Sequence, residues 1–200
     1  AKIRIGWDAD SINAARVARM LFDAGIAAIT VHGRTRAQGY AGAADWDTIA
    51  EVAAALPIPV IGNGDLASAT DVAKRRDETG IAGAMIGRAA MSAPWIFGQT
   101  KQYLATGEIP DPPDLTEKWK LILRHCQLVV RQRGAEESAI RSMRARLMAY
   151  SRAIPDAKRL REKFSHVSTL AEVERIAEEN ILHTEDRIAE EREIPTLIGF

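Results

Sequence analysis

The sequence predicts an α/β protein in which four strand–helix units form half of a TIM (β/α)8 barrel, followed by an all-α helical bundle. Short apolar runs alternate with helical patterns up to Pro94, an order typical of a parallel sheet covered by helices. Each apolar run is too short for a helix and precedes a helical pattern. Beyond Pro94 only helical patterns remain. Four units in about ninety residues amount to half of an eight-unit barrel.

The four units follow one another along the first part of the chain. Strands are predicted at 1–5, 27–31, 58–61 and 84–86. Helices are predicted at 10–24, 46–56 and 68–79. Asp10 or Ser11 would cap the first helix, and Val17, Met20 and Leu21 would form its apolar face. Because parallel crossovers are right-handed, the carboxyl ends of all four strands should lie on one rim.

The chain beyond Pro94 is predicted to be helical. Helices are expected at 95–105, 115–133, 136–154, 156–166 and 169–183. Asp114 with Glu117, and Thr169 with Glu172, match the spacing of a capping box. The predicted domains are a partial barrel at 1–106, a linker at 107–114, a helical domain at 115–184 and an acidic tail at 185–200 without assigned structure.

Composition narrows the class of protein. The 200 residues carry 27 Lys and Arg against 27 Asp and Glu, so no global charge favours nucleic acid or membrane. A single cysteine excludes an internal disulfide and fits a cytoplasmic location. No apolar run reaches the length of a membrane span, and no metal-ligand motif is present. The chain starts without methionine and directly in a predicted strand, which suggests a fragment.

Two glycine-rich turns end predicted strands. Gly62-Asn63-Gly64-Asp65 follows the third strand, and Gly87-Arg88 follows the fourth. Glycine lets backbone N–H groups approach a ligand closely, and a helix that opens beyond the turn favours an anion. The loops after the last two strands of such barrels often hold phosphate. We therefore predict a phosphate site at these turns.

Charge is unevenly distributed in the helical part. Residues 115–166 hold thirteen Lys and Arg against five acids, whereas 167–200 hold three arginines against nine acids. Arg141, Arg144 and Arg152 are predicted to share a helix face, and Arg146 extends the basic region. One interpretation is a solvated helical surface. The other is a patch that follows the phosphates of RNA.

Three motifs carry a family resemblance. The segments VHGRTRAQGYAGAADW, PVIGNGD and MIGRAAMSAPWIF occur in this order and resemble the C-terminal half of bacterial tRNA-dihydrouridine synthases of the B type. The resemblance implies strands five to eight of a barrel that binds FMN, and a helical tRNA-binding domain. It also implies reduction of a tRNA uridine to 5,6-dihydrouridine by reduced FMN, with NADPH as reductant, in a full-length protein expected to be monomeric.

The same resemblance assigns residues to the cofactor. It matches Lys2 and His32 to the flavin ring, and it matches the two turns to the phosphate. The phosphate residues are Asn63, Gly64, Asp65, Gly87 and Arg88. A cation at Lys2 would suit the negative charge of reduced flavin. Without the motif, Lys2 would be interpreted as a solvated lysine and His32 as a structural histidine.

Arg34 and Arg36 lie on the predicted rim, where each either contacts substrate RNA or is an ordinary loop arginine. The family's catalytic cysteine lies in an Asn-x-Gly-Cys-Pro loop, and this chain contains no such motif. Cys126 falls on an apolar helix stripe, where a buried and inert thiol is expected. The chain should therefore hold no catalytic residue and, as a fragment, should be inactive alone.

Three functional hypotheses remain open from the sequence. The first is part of a flavin-dependent tRNA-dihydrouridine synthase. The second is an RNA-binding fragment without catalysis, which would retain only the basic helices. The third is another FMN or sugar-phosphate barrel enzyme, since fold alone does not fix function. The motif at 32–36 together with the basic helices disfavours the third.

Overall fold

The computed structural model describes residues 1–193, with side chains up to residue 190. The chain divides into two compact units. The first comprises residues 1–90 and 94–111, and the second comprises residues 91–93 and those from Pro112 onward. The predicted division at 107–114 into a barrel domain and a tRNA-binding domain stays a prediction.

The elements alternate in the first unit and are all helical in the second. The strands are β1 (Lys2–Arg4), β2 (Ile29–His32), β3 (Val60–Asn63) and β4 (Gly83–Met85). The helices of the first unit are α1 (Ala14–Asp23), α2 (Trp46–Ala55), α3 (Ala69–Thr79), α4 (Arg88–Ser92) and α5 (Ile96–Thr106). α4 spans the boundary, since its last two residues belong to the second unit. The second unit then contains α6 (Leu115–Arg133), α7 (Glu136–Tyr150), α8 (Ala157–Phe164) and α9 (Leu170–Glu193).

The four strands form one parallel sheet in the order β1-β2-β3-β4. Arg4 pairs with His32, His32 with Asn63, and Asn63 with Met85. The last residues of all four strands therefore lie on the same edge of the sheet, as the right-handed crossovers predicted. This α/β architecture is consistent with a TIM-barrel-like domain, and the closed barrel itself stays a prediction.

Two helices of the first unit, α2 and α3, begin at side-chain caps and bury one face on the sheet. Asp45 accepts the N–H of Thr48 at 2.9 Å and starts α2, whose Trp46, Ile49 and Val52 are buried. Ser68 and Asp71 form a capping box at the start of α3. These caps fix where each helix leaves its loop, and so they fix the shape of the loops at the sheet edge.

The first helix differs from the prediction. Asp8, rather than Asp10 or Ser11, caps a 3₁₀ turn at Ala9–Ser11, and α1 starts only at Ala14. The N–H groups of residues 13 and 14 both donate to the Ile5 carbonyl, which folds the chain back before the helix begins. The buried face therefore centres on Ala14 and Ala18. Met20, predicted to be apolar-facing, is 62% exposed.

The second unit has its own apolar core, contributed by α6 to α9. The buried Trp119 ring donates its Nε1–H to Asn180 Oδ1 at 2.9 Å and so connects α6 with α9. α9 continues to Glu193, ten residues past its predicted end at about 183, so part of the predicted acidic tail is helical. The rest of that tail, 194–200, lies outside the described residues. The assignment of these helices as a bundle domain stays a prediction.

Membrane spans and metal clusters are both absent from the described residues. None of their helices is both long and apolar enough to cross a membrane. Within the same part of the chain, no group of three or more His, Cys, Asp or Glu side chains is placed to hold a metal ion.

Candidate functional site at the carboxyl edge of the sheet

Polar side chains from different strands meet at the carboxyl edge of the sheet. The Lys2 ammonium lies 3.4 Å from Asn63 Oδ1. Asn63 Nδ2 donates to the Met85 carbonyl at 2.7 Å. This arrangement fixes the orientation of the Asn63 amide between β1 and β4. Lys2 and Asn63, both predicted to bind the cofactor, are therefore brought together.

His32 lies at the end of β2 and is buried. Burial, together with the positive charges of Arg4, Lys2 and Arg34, lowers the pKa of His32 to about 4. The imidazole is therefore neutral at neutral pH, with one nitrogen able to donate and the other able to accept a hydrogen bond. Burial and the charge of Arg4 also lower the pKa of Lys2.

Arg34, two residues beyond β2, is 2% exposed. Its Nε donates to the Ala41 carbonyl at 3.2 Å, and its Nη2 donates to the Gly42 carbonyl at 2.6 Å. Nη2 also lies 2.7 Å from each carboxylate oxygen of Asp65. Nη1 is buried without a hydrogen-bond partner among the described residues. Arg34 thus connects the loop after β2 with the turn after β3.

Asp65 lies at the centre of this cluster, with a left-handed φ of 50°. Besides the bonds from Arg34, it accepts hydrogen bonds from the backbone N–H of Ala44 at 2.8 Å and from Nη2 of Arg88 at 3.0 Å. Burial opposes ionisation of this carboxyl, but the hydrogen bonds from Arg34 and Ala44 and the nearby guanidiniums lower its pKa. Arg88 also lies over the Tyr40 ring, 5.2 Å from its centroid. Asp65 is therefore an anion that orients two arginines.

The two glycines predicted to cradle phosphate differ in their surroundings. Gly64 has φ +140°, and a Cβ there would lie 2.5 Å from Ala44 Cβ. Packing within the chain therefore already requires glycine at this position. A Cβ on Gly87 would meet no atom within 4 Å. Space at Gly87 is thus open, and packing within the described residues does not require glycine at this position.

The electrostatic balance of this edge is positive. Lys2, Arg4 and Arg34 lie near His32, and the carboxylate of Asp65 contacts two cations, Arg34 and Arg88. Such a set of donors can bind an anionic group that also accepts hydrogen bonds. The neutral His32 can hydrogen-bond a polar ring without adding charge.

Arg34 and Arg36, both predicted on the rim, lie in different environments. Arg36 is exposed, and its backbone N–H donates to the Gly6 carbonyl at 2.9 Å. Its guanidinium therefore lies on a surface that RNA could contact. Arg34 is enclosed by the loop carbonyls and Asp65. The structure gives Arg34 an internal role instead of a surface one.

The four arginines predicted to contact RNA from the second unit also differ. Arg141 forms an exposed ion pair with Glu137 one turn earlier, at 2.6 Å. Arg144 donates to the carbonyls of residues 167 and 166, at 2.9 and 3.0 Å. Arg146 is exposed on α7, and Arg152 is exposed in the 3₁₀ turn that follows it. Arg144 therefore fastens α7 to the chain after α8, and the other three remain at the surface.

Two residues of the site were not predicted from sequence. Arg4 donates to the Thr35 and Gly39 carbonyls at 2.6 and 3.1 Å and so holds the loop after β2. Arg4 follows Lys2 by two residues on β1, so both side chains lie on the same face of the sheet. This spacing could have identified Arg4 from the sequence. Tyr40, under the Arg88 guanidinium, gave no signal, because its loop has no regular period.

Comparisons with known proteins match most of the chain. The family described as "Dihydrouridine synthase (Dus)" matches residues 1–186. "tRNA-dihydrouridine synthase B" of Xanthomonas axonopodis pv. citri is 42% identical over 168 residues, 84% of this chain and 50% of the relative. The protein of the same name in Pseudomonas aeruginosa is 40% identical over 166 residues, 83% of this chain and 50% of the relative.

A further relative, "Probable tRNA-dihydrouridine synthase 1" of Synechocystis sp., is 37% identical over 171 residues, 86% of this chain and 48% of the relative. The chain spans about half the length of the curated relatives it matches. These matches confirm the family resemblance predicted from the three motifs. The chain belongs to the dihydrouridine synthase family.

Proposed function

We propose that this chain forms part of an enzyme that reduces uridine in tRNA to 5,6-dihydrouridine. The observation that carries the proposal is the carboxyl edge of the sheet, where a neutral His32 lies near Lys2, Arg4 and Arg34, and where Asp65 is shared by Arg34 and Arg88. Such an edge suits an anionic, hydrogen-bonding cofactor. The names of the relatives supply the reaction and the substrate class.

The residues at this edge fit FMN, which carries both a phosphate and a polar ring. When bound, FMN supplies the hydride that reduces the C5–C6 double bond of uridine, and NADPH restores the reduced cofactor. A Cβ on Gly87 would meet no atom within 4 Å, so there is room beside this residue for a phosphate group. Arg88, oriented by Asp65, offers a positive charge beside that space. The donor set and the space therefore agree with the implied cofactor.

Lys2 and His32 would hold the flavin ring, and Asn63, assigned from the sequence to the phosphate turn, is proposed beside the ring instead, because its amide contacts Lys2. Lys2 contributes a positive charge, and its contact with the Asn63 amide fixes both side chains. His32, neutral because of burial and neighbouring cations, can donate to or accept from the ring without changing the charge of the site. The roles of these residues are orientation of the ring and stabilisation of negative charge on it.

The turns after β3 and β4 would hold the phosphate. Backbone N–H groups at Gly64 and Gly87 and the guanidinium of Arg88 are the donors of this proposal. Asp65 cannot hold a phosphate directly, since both groups are anions. Its contribution is the orientation of Arg88 through the contact of 3.0 Å.

The tRNA would contact exposed arginines of both units. Arg36 in the first unit and Arg141, Arg146 and Arg152 in the second are exposed and can follow backbone phosphates. The target uridine must leave the stacked helix to reach a ring at the sheet edge. We propose the helical segment 115–184 as the tRNA-binding domain, with Arg144 in a structural role.

The catalytic acid is proposed to come from outside this chain. Cys126 is buried, and burial raises the pKa of its thiol to about 11. Such a thiol neither reaches a substrate nor forms thiolate at neutral pH. A cysteine in an Asn-x-Gly-Cys-Pro loop elsewhere in the protein would supply the proton. We further propose that the protein acts in the cytoplasm and as a monomer.

The decisive experiment uses the whole protein that contains this chain. Purified protein is incubated with NADPH and with tRNA transcribed in vitro, which lacks dihydrouridine. Digestion of the tRNA and mass spectrometry of the nucleosides should then show dihydrouridine, and omission of NADPH should abolish it. Binding of tRNA with no dihydrouridine formed would favour the alternative of a non-catalytic RNA-binding protein. Bound FMN with no tRNA reduction would favour another flavin enzyme.

A further inference from the structure

Arg34 is an arginine whose charge is enclosed by the protein. Its side chain is 2% exposed, and its nearest counter-charge is the carboxylate of Asp65. The carbonyls of Ala41 and Gly42 accept two further hydrogen bonds from it. Burial of a cation is costly unless a carboxylate and hydrogen bonds compensate it. The compensation here is a single carboxylate, which a second arginine shares.

The three charged groups of this cluster add to an excess of one positive charge. Asp65 contacts Arg34 at 2.7 Å and Arg88 at 3.0 Å. Because Arg34 is enclosed and already matched to Asp65, the excess resides on Arg88, whose side chain is 59% exposed. Without the charge of Arg34, Asp65 would cancel that of Arg88. The cluster would then have no net attraction for an anion.

We propose that Arg34 is a positioning residue for phosphate recognition. Its buried charge neutralises Asp65, which can then orient Arg88 without cancelling the charge that Arg88 presents to a phosphate monoester. The inference rests on the proposed function, because the ligand is the 5′-phosphate of FMN. Arg88 is held on two sides, by Asp65 and by the Tyr40 ring. A guanidinium so fixed needs little reorganisation when the phosphate binds.

A purely structural role for Arg34 makes different predictions. Arg34 also holds the loop carbonyls at residues 41 and 42, so its removal could simply loosen that loop. A loosened loop would weaken binding of any flavin, with or without phosphate. Loss of the compensating charge would weaken binding of only the flavin that carries a phosphate. The two roles are therefore separable with FMN and riboflavin, which share a ring and differ in the phosphate.

The first measurement compares the affinities for FMN and for riboflavin of the whole protein from which bound flavin has been removed. Arg34→Met, which approximates the length of the side chain without its charge, should weaken FMN binding by about tenfold or more, equivalent to about 1.4 kcal/mol. Riboflavin affinity should change by less than about twofold. Arg76→Gln is the matched control, since Arg76 pairs with Asp77 on the exposed surface of α3. Equal decreases in affinity for FMN and riboflavin would overturn the inference.

The second measurement restores the charge balance without restoring the hydrogen bonds. Arg34→Met combined with Asp65→Asn removes the enclosed charge of Arg34 together with the carboxylate charge of Asp65, and leaves the excess on Arg88. The preference for FMN over riboflavin should return to within about threefold of the parent, because the two sites are coupled through charge. A structural clamp predicts no recovery, since the double variant still lacks the bonds from Arg34 to the loop. Absence of recovery would therefore contradict the proposal.

A conservative variant covers the case in which Arg34→Met does not fold. Arg34→Lys keeps the charge and removes the forked geometry, so its FMN-to-riboflavin preference should stay within about threefold of the parent. Collapse of that preference would contradict the charge-compensation role. The parent protein separates this inference from the proposed function. If the parent binds neither flavin, the proposed function fails; if it binds both with equal affinity, only the phosphate inference fails.

Discussion

The arginines at the sheet edge and those of the second unit look alike in sequence but differ in their contacts. Arg34 is enclosed and matched to a carboxylate from another loop. Arg141 pairs with Glu137 one turn away on its own helix, and both side chains are mostly exposed. A surface pair of this kind contributes about 0–1 kcal/mol. Removal of one partner from a buried pair costs considerably more, because the other charge is left uncompensated.

This difference shows that burial and partners, and not the number of basic residues, separate the two regions. The sheet edge is a constrained site in which each charge has a fixed neighbour. The exposed arginines of α7 form a surface whose charges can exchange a carboxylate for a phosphate at little cost. The first kind of region suits recognition of one small anion, and the second suits a long backbone of phosphates. Substitutions in the two regions can test that contrast.

The largest effect is expected at Gly64, where the edge has least room. Gly64→Ala places a Cβ 2.5 Å from Ala44 Cβ and forces an L residue to φ +140°. Strain and overpacking together should lower the free energy of unfolding by about 2–5 kcal/mol. Gly87→Ala is the matched control, because open space surrounds that position, and its free energy should change by less than about 0.5 kcal/mol. Urea unfolding of both flavin-free variants gives the comparison; equal destabilisation would refute the tight packing at Gly64.

The next effect concerns Arg88 and the cofactor. Arg88→Ala removes a charge-assisted hydrogen bond to phosphate worth about 1.5–3 kcal/mol. FMN affinity should therefore fall by about ten- to 150-fold. Fluorescence titration of the flavin-free whole protein measures it, and Arg76→Gln on the surface of α3 should bind FMN as the parent does. If Arg88→Ala retains the parent's affinity, Arg88 is not a phosphate ligand.

The pH dependence of stability should reveal the lowered pKa of His32. The pKa of His32 is about 4 when folded, against an ordinary value of 6.5. Between these values the unfolded chain binds a proton that the folded protein does not, so stability falls as the pH is lowered from 6.5 to 4. Thermal unfolding should show a steeper fall for the parent than for His32→Gln over this window. Parallel curves would mean that His32 titrates normally and is not held neutral.

Much of this edge could be predicted from the sequence, because its signals are local. Strand lengths, the glycine turns and the crossovers placed His32 and Asn63 at one edge before any contact was known, and the family resemblance assigned Lys2 to the same cofactor. The start of α1 was predicted wrongly, since a 3₁₀ turn at Ala9–Ser11 precedes the helix, and Met20 of the predicted apolar face is exposed. The N–H groups of residues 13 and 14, just before and at the start of α1, donate back to the Ile5 carbonyl, and no local pattern shows these bonds.

The burial of Arg34 could not be predicted for a similar reason. Its partner Asp65 is 31 residues away, and its other partners are carbonyls of an irregular loop. Before such partners are known, a buried arginine in a loop cannot be distinguished from an exposed one. The same holds for Arg144, which α7 presents beside the apolar stripe, but whose guanidinium is bound by the carbonyls of Val167 and His166. Sequence places a charge on an element; the contacts of that charge come from elsewhere in the chain.

Arg144 gives the internal comparison for the second unit. Arg144→Gln should lower the free energy of unfolding by about 1–3 kcal/mol, because it breaks two hydrogen bonds from a charged group to backbone carbonyls. Arg141→Gln should change it by less than about 1 kcal/mol, since it removes only an exposed ion pair. Urea unfolding of the two single variants distinguishes them. Equal and small changes would mean that the Arg144 hydrogen bonds add nothing to stability.

The smallest effect on the fold, and the one that addresses RNA, is expected from the exposed arginines alone. Arg141, Arg146 and Arg152 are replaced together by Gln, and Arg144 is retained because of its hydrogen bonds. If each arginine binds a tRNA phosphate, the slope of log K against log salt should fall by about 0.7–0.9 for every phosphate that the variant no longer neutralises. Filter binding of unmodified tRNA to the whole protein over a range of salt measures this slope, while FMN affinity should stay at the parent's value. Equal slopes for parent and variant would assign these arginines to the solvated surface and leave Arg36 as the exposed arginine to test next.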